Sequence, residues 1–192
     1  MRELPLIVLV NGLPGSGKTT VAAGLAARLS RAAVVEGDHL QHGMTVSGCV
    51  GPGEEPADES WTQLDLRWRN IAALATNFYD AGFSVVVDSL VIPSLLHDLR
   101  SALGTRPLAY VHLDPARSVG LARDAARGTK RIGDRFDWVA AEFEPLRELG
   151  VWIDSTEQSP RQTVDAAYDA LTTGAARLEL DLGRPVPEPA KP

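Results

Sequence analysis

Only one cysteine, Cys49, occurs in the 192 residues. No internal disulfide can form, and no Cys/His cluster has the ligand spacing of a zinc site. A reducing cytoplasmic setting is therefore expected. Long hydrophobic runs are missing as well. The apolar start, Leu4 to Val10, is shorter than a secretory core and leads into a glycine-rich loop instead of a small-residue cleavage site. No other stretch approaches the roughly 18 apolar residues of a membrane span, so no membrane partner is expected. Positive charge is in deficit: 19 Lys and Arg stand against 25 Asp and Glu, for a net charge of -6 and a pI near 5.2. A duplex nucleic-acid binder needs a basic surface to displace counterions, so nucleic acid is excluded as the expected partner.

What is present is ordinary globular composition, 44% hydrophobic and 23% charged, at the length of one domain. Strand and helix signals alternate, the pattern of a parallel sheet covered on both faces. Leu6 to Val10 reads as a buried central strand, and Val21, Leu25 and Leu29 give the next helix an apolar stripe. A short strand, Ala33 to Glu36, precedes a Gly-, Pro- and acid-rich segment at about 41–60 that reads as a mobile loop. Ser60 with Gln63 is expected to cap a long helix carrying Leu64, Trp68, Ile71, Ala75 and Phe78, ended by Gly82. Strands follow at Ser84 to Asp88, Leu108 to Leu113 and Val151 to Asp154. Pro93 to Leu103 reads as a helix. Asp114 and Pro115 are expected to cap and open a helix running to about Arg127. A basic segment at about 128–136 with two glycines reads as a lid, and Asp137 to Leu149 as a further helix. Ser159, Pro160 and Gln162 cap a last helix bearing Val164, Ala167, Tyr168 and Leu171. The expected division is one domain over 1–173 and a Pro-rich tail over 174–192.

The strongest signal is Gly12-Leu13-Pro14-Gly15-Ser16-Gly17-Lys18-Thr19, a complete G-x-x-x-x-G-K-[ST] phosphate-binding loop between a buried strand and a helix. Its glycines let the backbone curl until successive N–H groups point at an anion, and the helix N-terminus adds partial positive charge. Lys18 is placed to reach the outer phosphates, Thr19 to ligate Mg²⁺, and Thr20 to touch the innermost phosphate. No strand ends in the guanine-reading Asn-Lys-x-Asp segment of a GTPase, and the chain lacks room for the extra strands of a motor. Small kinases remain.

Several separated pieces carry a family likeness. They are the phosphate loop, Glu36-Gly37-Asp38-His39-Leu40 after strand two, Val85-Val86-Val87-Asp88 at strand three, and the Asp114 turn. The basic residues Arg123, Arg127, Lys130, Arg131 and Arg135, and Val151-Trp152-Ile153-Asp154-Ser155-Thr156 at strand five, complete the set. From Leu6 to about Leu171 the chain resembles the chloramphenicol phosphotransferase-like branch of the P-loop kinases, near the gluconate and shikimate kinases. The resemblance implies a P-loop NTPase α/β sandwich with a five-stranded parallel sheet of order 2-3-1-4-5 and a short lid. It also implies ATP with Mg²⁺ as donor and transfer of the γ-phosphoryl group to a hydroxyl of a small molecule, an antibiotic or a metabolite.

Within that frame Asp38 is the candidate general base, because an alcohol must lose its proton as it attacks whereas a phosphate acceptor is already anionic. A plain turn aspartate is the alternative. Asp88, closing an apolar strand, is the candidate magnesium partner beside Thr19, with a helix cap as its alternative. Arg123 and Arg127 are expected to contact adenine or phosphate, and Arg131 or Arg135 to neutralise the γ-phosphate. His39 and His42 read as surface residues, Trp68 as core, and the acidic residues Glu54, Glu55, Asp58 and Glu59 as solvated. Two other functions stay open. One is a nucleotide, sugar-metabolite or toxin-like kinase in which Arg67 and Arg69 hold an anionic acceptor. The other is a regulatory module that binds ATP without transferring phosphate.

Overall fold

The computed structural model describes residues 5–127 and 132–178. Five strands, Ile7–Asn11 (β1), Ala32–Glu36 (β2), Ser84–Asp88 (β3), Leu108–Leu113 (β4) and Val151–Ile153 (β5), pair in parallel in the order β2-β3-β1-β4-β5. This is the expected P-loop α/β sheet. β1, β3 and β4 are buried along their whole length, which is why they read as continuous apolar runs without alternation.

The helices are Lys18–Ala26 (α1), Ala57–Asp80 (α2), Pro93–Leu103 (α3), Arg117–Ala125 (α4) and Pro160–Thr173 (α5). A π-helical turn, His39–Gly43, and a 3₁₀ helix, Asp137–Leu146, complete the set. One face of the sheet is covered by α2, α3 and the 3₁₀ helix, whose Leu64, Trp68, Ile71, Leu96, Leu99, Val139 and Phe143 pack on Ile7, Leu9 and Tyr110. On the other face, Val21 and Leu25 of α1 and Val164 and Ala167 of α5 pack on Val8, Val10 and Val111. Trp68 is core, as its helical spacing predicts. The capping box of α5 forms as expected, with both the Ser159 and the Gln162 side chains engaged.

Four local expectations are corrected. α2 starts at Ala57, not Ser60: Ser60 sits inside its first turn, where its hydroxyl donates to Gly51 O (2.8 Å) and accepts from Gly53 N (3.0 Å). A nearer backbone partner has drawn that side chain away from capping. α4 starts at Arg117, not at Pro115: Ala116, with ψ 135°, is its cap, and Asp114 instead pairs with Arg147 (3.1 Å). The helix expected over Asp137 to Leu149 is a 3₁₀ helix ending at Leu146, with Pro145 inside it; proline removes a donor and collides with the preceding turn of an α-helix. Finally, residues 176–178, placed in the tail by composition, turn back onto β4. Tyr110 N donates to Ala176 O and Leu178 N to Leu108 O, both at 2.8 Å, and Arg177 bridges Ala109 in antiparallel sense. They cover the half of β4 that the three-residue β5 leaves open, and Ala176 and Leu178 are buried.

Candidate active site

β1 delivers the phosphate loop at the carboxyl edge of the sheet, where ligands bind in such folds. Its last residue, Asn11, is fully buried and pins the start of the loop. Its amide accepts from Val91 N (2.9 Å) and donates to Val91 O (3.0 Å) and to the Tyr110 hydroxyl (2.8 Å). With its oxygen already accepting, the Tyr110 hydroxyl is free to donate to His112 Nδ1 (3.0 Å). That arrangement needs a neutral ring. Burial, and after it the positive charges of Lys18 and Arg147, push the His112 pKa down to about 3. His112 also stacks on Trp152, with centroids 3.7 Å apart, and with Phe143, Leu13 and Pro14 it walls a cavity beside the loop.

The loop fits an anion. Gly15, at φ +82°, sits so close to α4 that a Cβ there would lie 2.0 Å from Gly120 O, so only glycine permits this approach. Gly17, in the left-handed region, caps α1, whose unpaired first-turn amides lie at the loop. The Lys18 ammonium donates to the carbonyls of Gly12 (2.8 Å) and Leu13 (3.1 Å). Burial lowers its pKa below the usual lysine value, while Asp88 and Asp38 pull it back up.

The Thr19 hydroxyl donates to Asp88 Oδ2 at 2.6 Å, joining the two residues predicted to share a metal. Among the described residues no three His, Cys, Asp or Glu side chains gather in a way that could hold a metal ion. One hydroxyl and one carboxylate suit Mg²⁺, which keeps waters and takes remaining ligands from phosphate oxygens.

Register places Glu36 of β2 beside Asp88 of β3, so the turn after β2 emerges next to the Thr19–Asp88 pair. Gly37 is forced there by packing: a Cβ would stand 2.5 Å from Ser89 Oγ. Asp38 follows, exposed, its carboxylate 3.4 Å from Arg67 Nη1 of α2. Arg67 is 6% exposed, and burial lowers its pKa against the opposing pull of Asp38. Its Nε and the buried Ser89 Oγ find no protein partner. Arg69, by contrast, is exposed and pairs with Asp65 (2.9 Å) on the outside of α2.

The segment expected to be a mobile loop is braced by side chains. Gln41 Nε2 donates to Val50 O, Val50 N to Gln63 Oε1, and Gln63 Nε2 to Gly48 O, all within 2.8 Å. His42 Nδ1 lies 3.4 Å from Cys49 Sγ.

A family model described as an AAA domain matches residues 7–149, from β1 through the 3₁₀ helix. The chain belongs to this AAA-domain family. No curated protein matches it. Among solved structures, a sugar kinase from Janibacter sp. HTCC2649 superposes with a TM-score of 0.62 at 24% identity, covering 90% of this chain and 97% of its own. A gluconokinase from Sinorhizobium meliloti 1021 gives 0.60 at 22% identity, covering 91% and 95%. Shikimate kinase from Acinetobacter baumannii gives 0.61 at 19% identity, covering 90% and 96%. These neighbours are small-molecule kinases, and the likeness to them is one of fold.

The basic residues of this AAA domain are spread around the cleft. Arg123 of α4 donates to Ser155 O (2.9 Å) and to Ser155 Oγ (3.4 Å) after β5. Arg127 is exposed and near enough to Lys18 to lower its pKa. Arg135 reaches the far side, donating to Glu54 Oε1 and Pro52 O, both at 3.2 Å; Glu54 is thus an ion-pair partner as well as a solvated acid. Lys130 and Arg131 lie outside the described residues. Sequence reasoning missed Asn11, His112 and Arg117, each an ordinary residue in one dimension. The only available signal was the polar Asn11 closing an apolar strand directly before the phosphate loop. No helix among the described residues is long and apolar enough to cross a membrane.

Proposed function

We propose that this AAA-domain protein is a kinase that moves the γ-phosphoryl group of ATP to a hydroxyl of a small molecule. The observation that carries the reading is the Asp38 carboxylate, held by the buried Arg67 beside the Thr19–Asp88 pair and within electrostatic reach of Lys18. A phosphate loop alone binds nucleotide. A carboxylate close enough to act on its lysine serves an acceptor that must lose a proton.

In this reading the loop amides from Gly12 to Thr20 cradle the donor phosphates, and Lys18 neutralises the oxygens of the transferred group. Thr19 and Asp88 would hold a magnesium ion, which supplies further charge neutralisation on the phosphates. The acceptor oxygen bonds to the γ-phosphorus as the bond to the bridging oxygen breaks; the proton passes to Asp38 and ADP leaves. In the same reading Arg123 and Arg127 contact the base or phosphates of the donor, and Arg131 or Arg135 neutralises the γ-phosphate. The domain, expected to end at residue 173, is extended to Leu178 by the pairing of 176–178 with β4, and the compartment is assigned to the cytoplasm. The chloramphenicol phosphotransferase-like resemblance supports an antibiotic or similar hydroxyl compound as acceptor. In the anionic-acceptor alternative Arg67 would serve alone, because Arg69 is exposed and paired with Asp65.

The test is incubation of the purified protein with ATP, Mg²⁺ and a pooled library of metabolites and antibiotics, read by mass spectrometry. A hydroxyl compound gaining the mass of one phosphoryl group, with matching ADP release, is expected. ATP binding without any acceptor-stimulated turnover would instead mark a nucleotide-binding regulatory module.

A further inference from the structure

A polar path runs from the phosphate loop to the loop after β2, and its middle members belong to no motif. Arg117, the first residue of α4, donates from Nη1 to Pro14 O (3.4 Å) and from Nη2 to Gly133 O (2.7 Å), and pairs with the Asp137 carboxylate. Seven residues on, and so on the same helix face, lies Asp124, 1% exposed. One of its carboxylate oxygens accepts from both Ile132 N (2.7 Å) and Gly133 N (2.8 Å). Gly133 is therefore gripped at its N–H by one α4 side chain and at its carbonyl by another. Two residues further, Arg135 holds Glu54 and Pro52. The base of α4 is itself seated on the phosphate loop through the contact of Gly120 with Gly15.

We propose that Arg117 is a positioning residue that couples the phosphate loop to segment 132–137 and, through Arg135, to the loop at Pro52–Glu54. The inference rests on the reading that nucleotide occupies the phosphate loop. A phosphate drawing the loop amides inward turns the carbonyls outward, and the Pro14 carbonyl is the one Arg117 holds. The guanidinium is a rigid planar fork, so displacement of one acceptor is passed to the others. An ammonium has the same charge but no such fork. Coupling in this scheme is carried by geometry and is therefore lost in Arg117→Lys.

The test is amide hydrogen exchange, with and without a non-hydrolysable ATP analogue and Mg²⁺, on the full chain. In the wild type, the analogue is expected to raise protection in the phosphate loop, in 132–137 and in 51–56. In Arg117→Lys and Arg117→Met the analogue still binds within about tenfold, since a single loop hydrogen bond is at stake. The phosphate loop is still protected there, but the gains at 132–137 and 51–56 disappear. Asp137→Ala, which leaves Arg117 in place, reduces the gain at 132–137 and serves if either Arg117 variant fails to fold. Wild-type gains at both distant segments in the Arg117 variants overturn the coupling, as does wild-type protection confined to the phosphate loop. Failure of the wild type to bind the analogue at all overturns the nucleotide reading, and the coupling with it.

Discussion

The two sides of the site are built by different means. The proposed donor side is one contiguous segment, Gly12–Thr19, made mostly of backbone amides, glycines of special conformation and one lysine. The other side is assembled from distance: Asp38 is held by Arg67, 29 positions away, and position 37 has no room for a Cβ because Ser89, just after β3, closes on it. A motif written in consecutive residues keeps its geometry wherever a strand and helix flank it. A carboxylate fixed by a remote arginine acquires its geometry only when α2 packs on the sheet.

Mutations should therefore separate the two sides. Lys18→Ala should have the largest effect, abolishing phosphoryl transfer, because that charge acts on the transferred group itself. Acceptor-dependent ADP release at the wild-type rate in this variant would remove the basis for the donor side. Asp38→Asn should come next. It keeps the shape and leaves the loop untouched, so ATP affinity should hold within a few fold while acceptor phosphorylation falls by roughly 10² to 10⁴. Collapse of ATP binding in parallel would show that Asp38 belongs with Thr19 and Asp88 around the metal, erasing the distinction between the sides.

Arg67→Met tests whether the remote arginine does what its position suggests. Losing a hydrogen bond to a charged group, it should lower acceptor phosphorylation by roughly 10- to 100-fold, with ATP titrations nearly unchanged. An equal loss in both steady-state constants for ATP would mean that Arg67 supports the fold as a whole and not the acceptor side.

The last comparison concerns the layer beneath both sides, and its effect is on stability at low pH and not on activity at neutral pH. His112 is neutral when folded, with its pKa near 3, below the ordinary value of 6.5. The unfolded chain therefore binds the proton first. The contribution is complete above pH 6.5 and is lost as pH falls toward 3, by about 1.4 kcal/mol per pH unit. Urea denaturation of His112→Gln should show a flatter decline in that window than the wild type, with activity at neutral pH little changed. Identical slopes would mean that the ring is protonated inside the fold.

The strands, their burial and the phosphate loop were legible in one dimension, because continuous β-branched runs and a spaced glycine motif have local physical causes. Val85 to Val87 can form little other than a buried strand, and Gly12 and Gly17 are written into the motif, whereas the need for glycine at position 15 comes from the distant Gly120 of α4. Capping was legible where Ser159 and Gln162 had no competing partner, and misread at Ser60, where Gly51 and Gly53 offered a nearer one. The pairing of Arg67 with Asp38, the pinning of Asn11 by Val91 and Tyr110, and the reach of Arg117 from Pro14 to Gly133 were decided only by tertiary structure. Each joins residues far apart in sequence, and nothing in the identity of an arginine or asparagine says which distant carbonyl or carboxylate it will meet once the layers close.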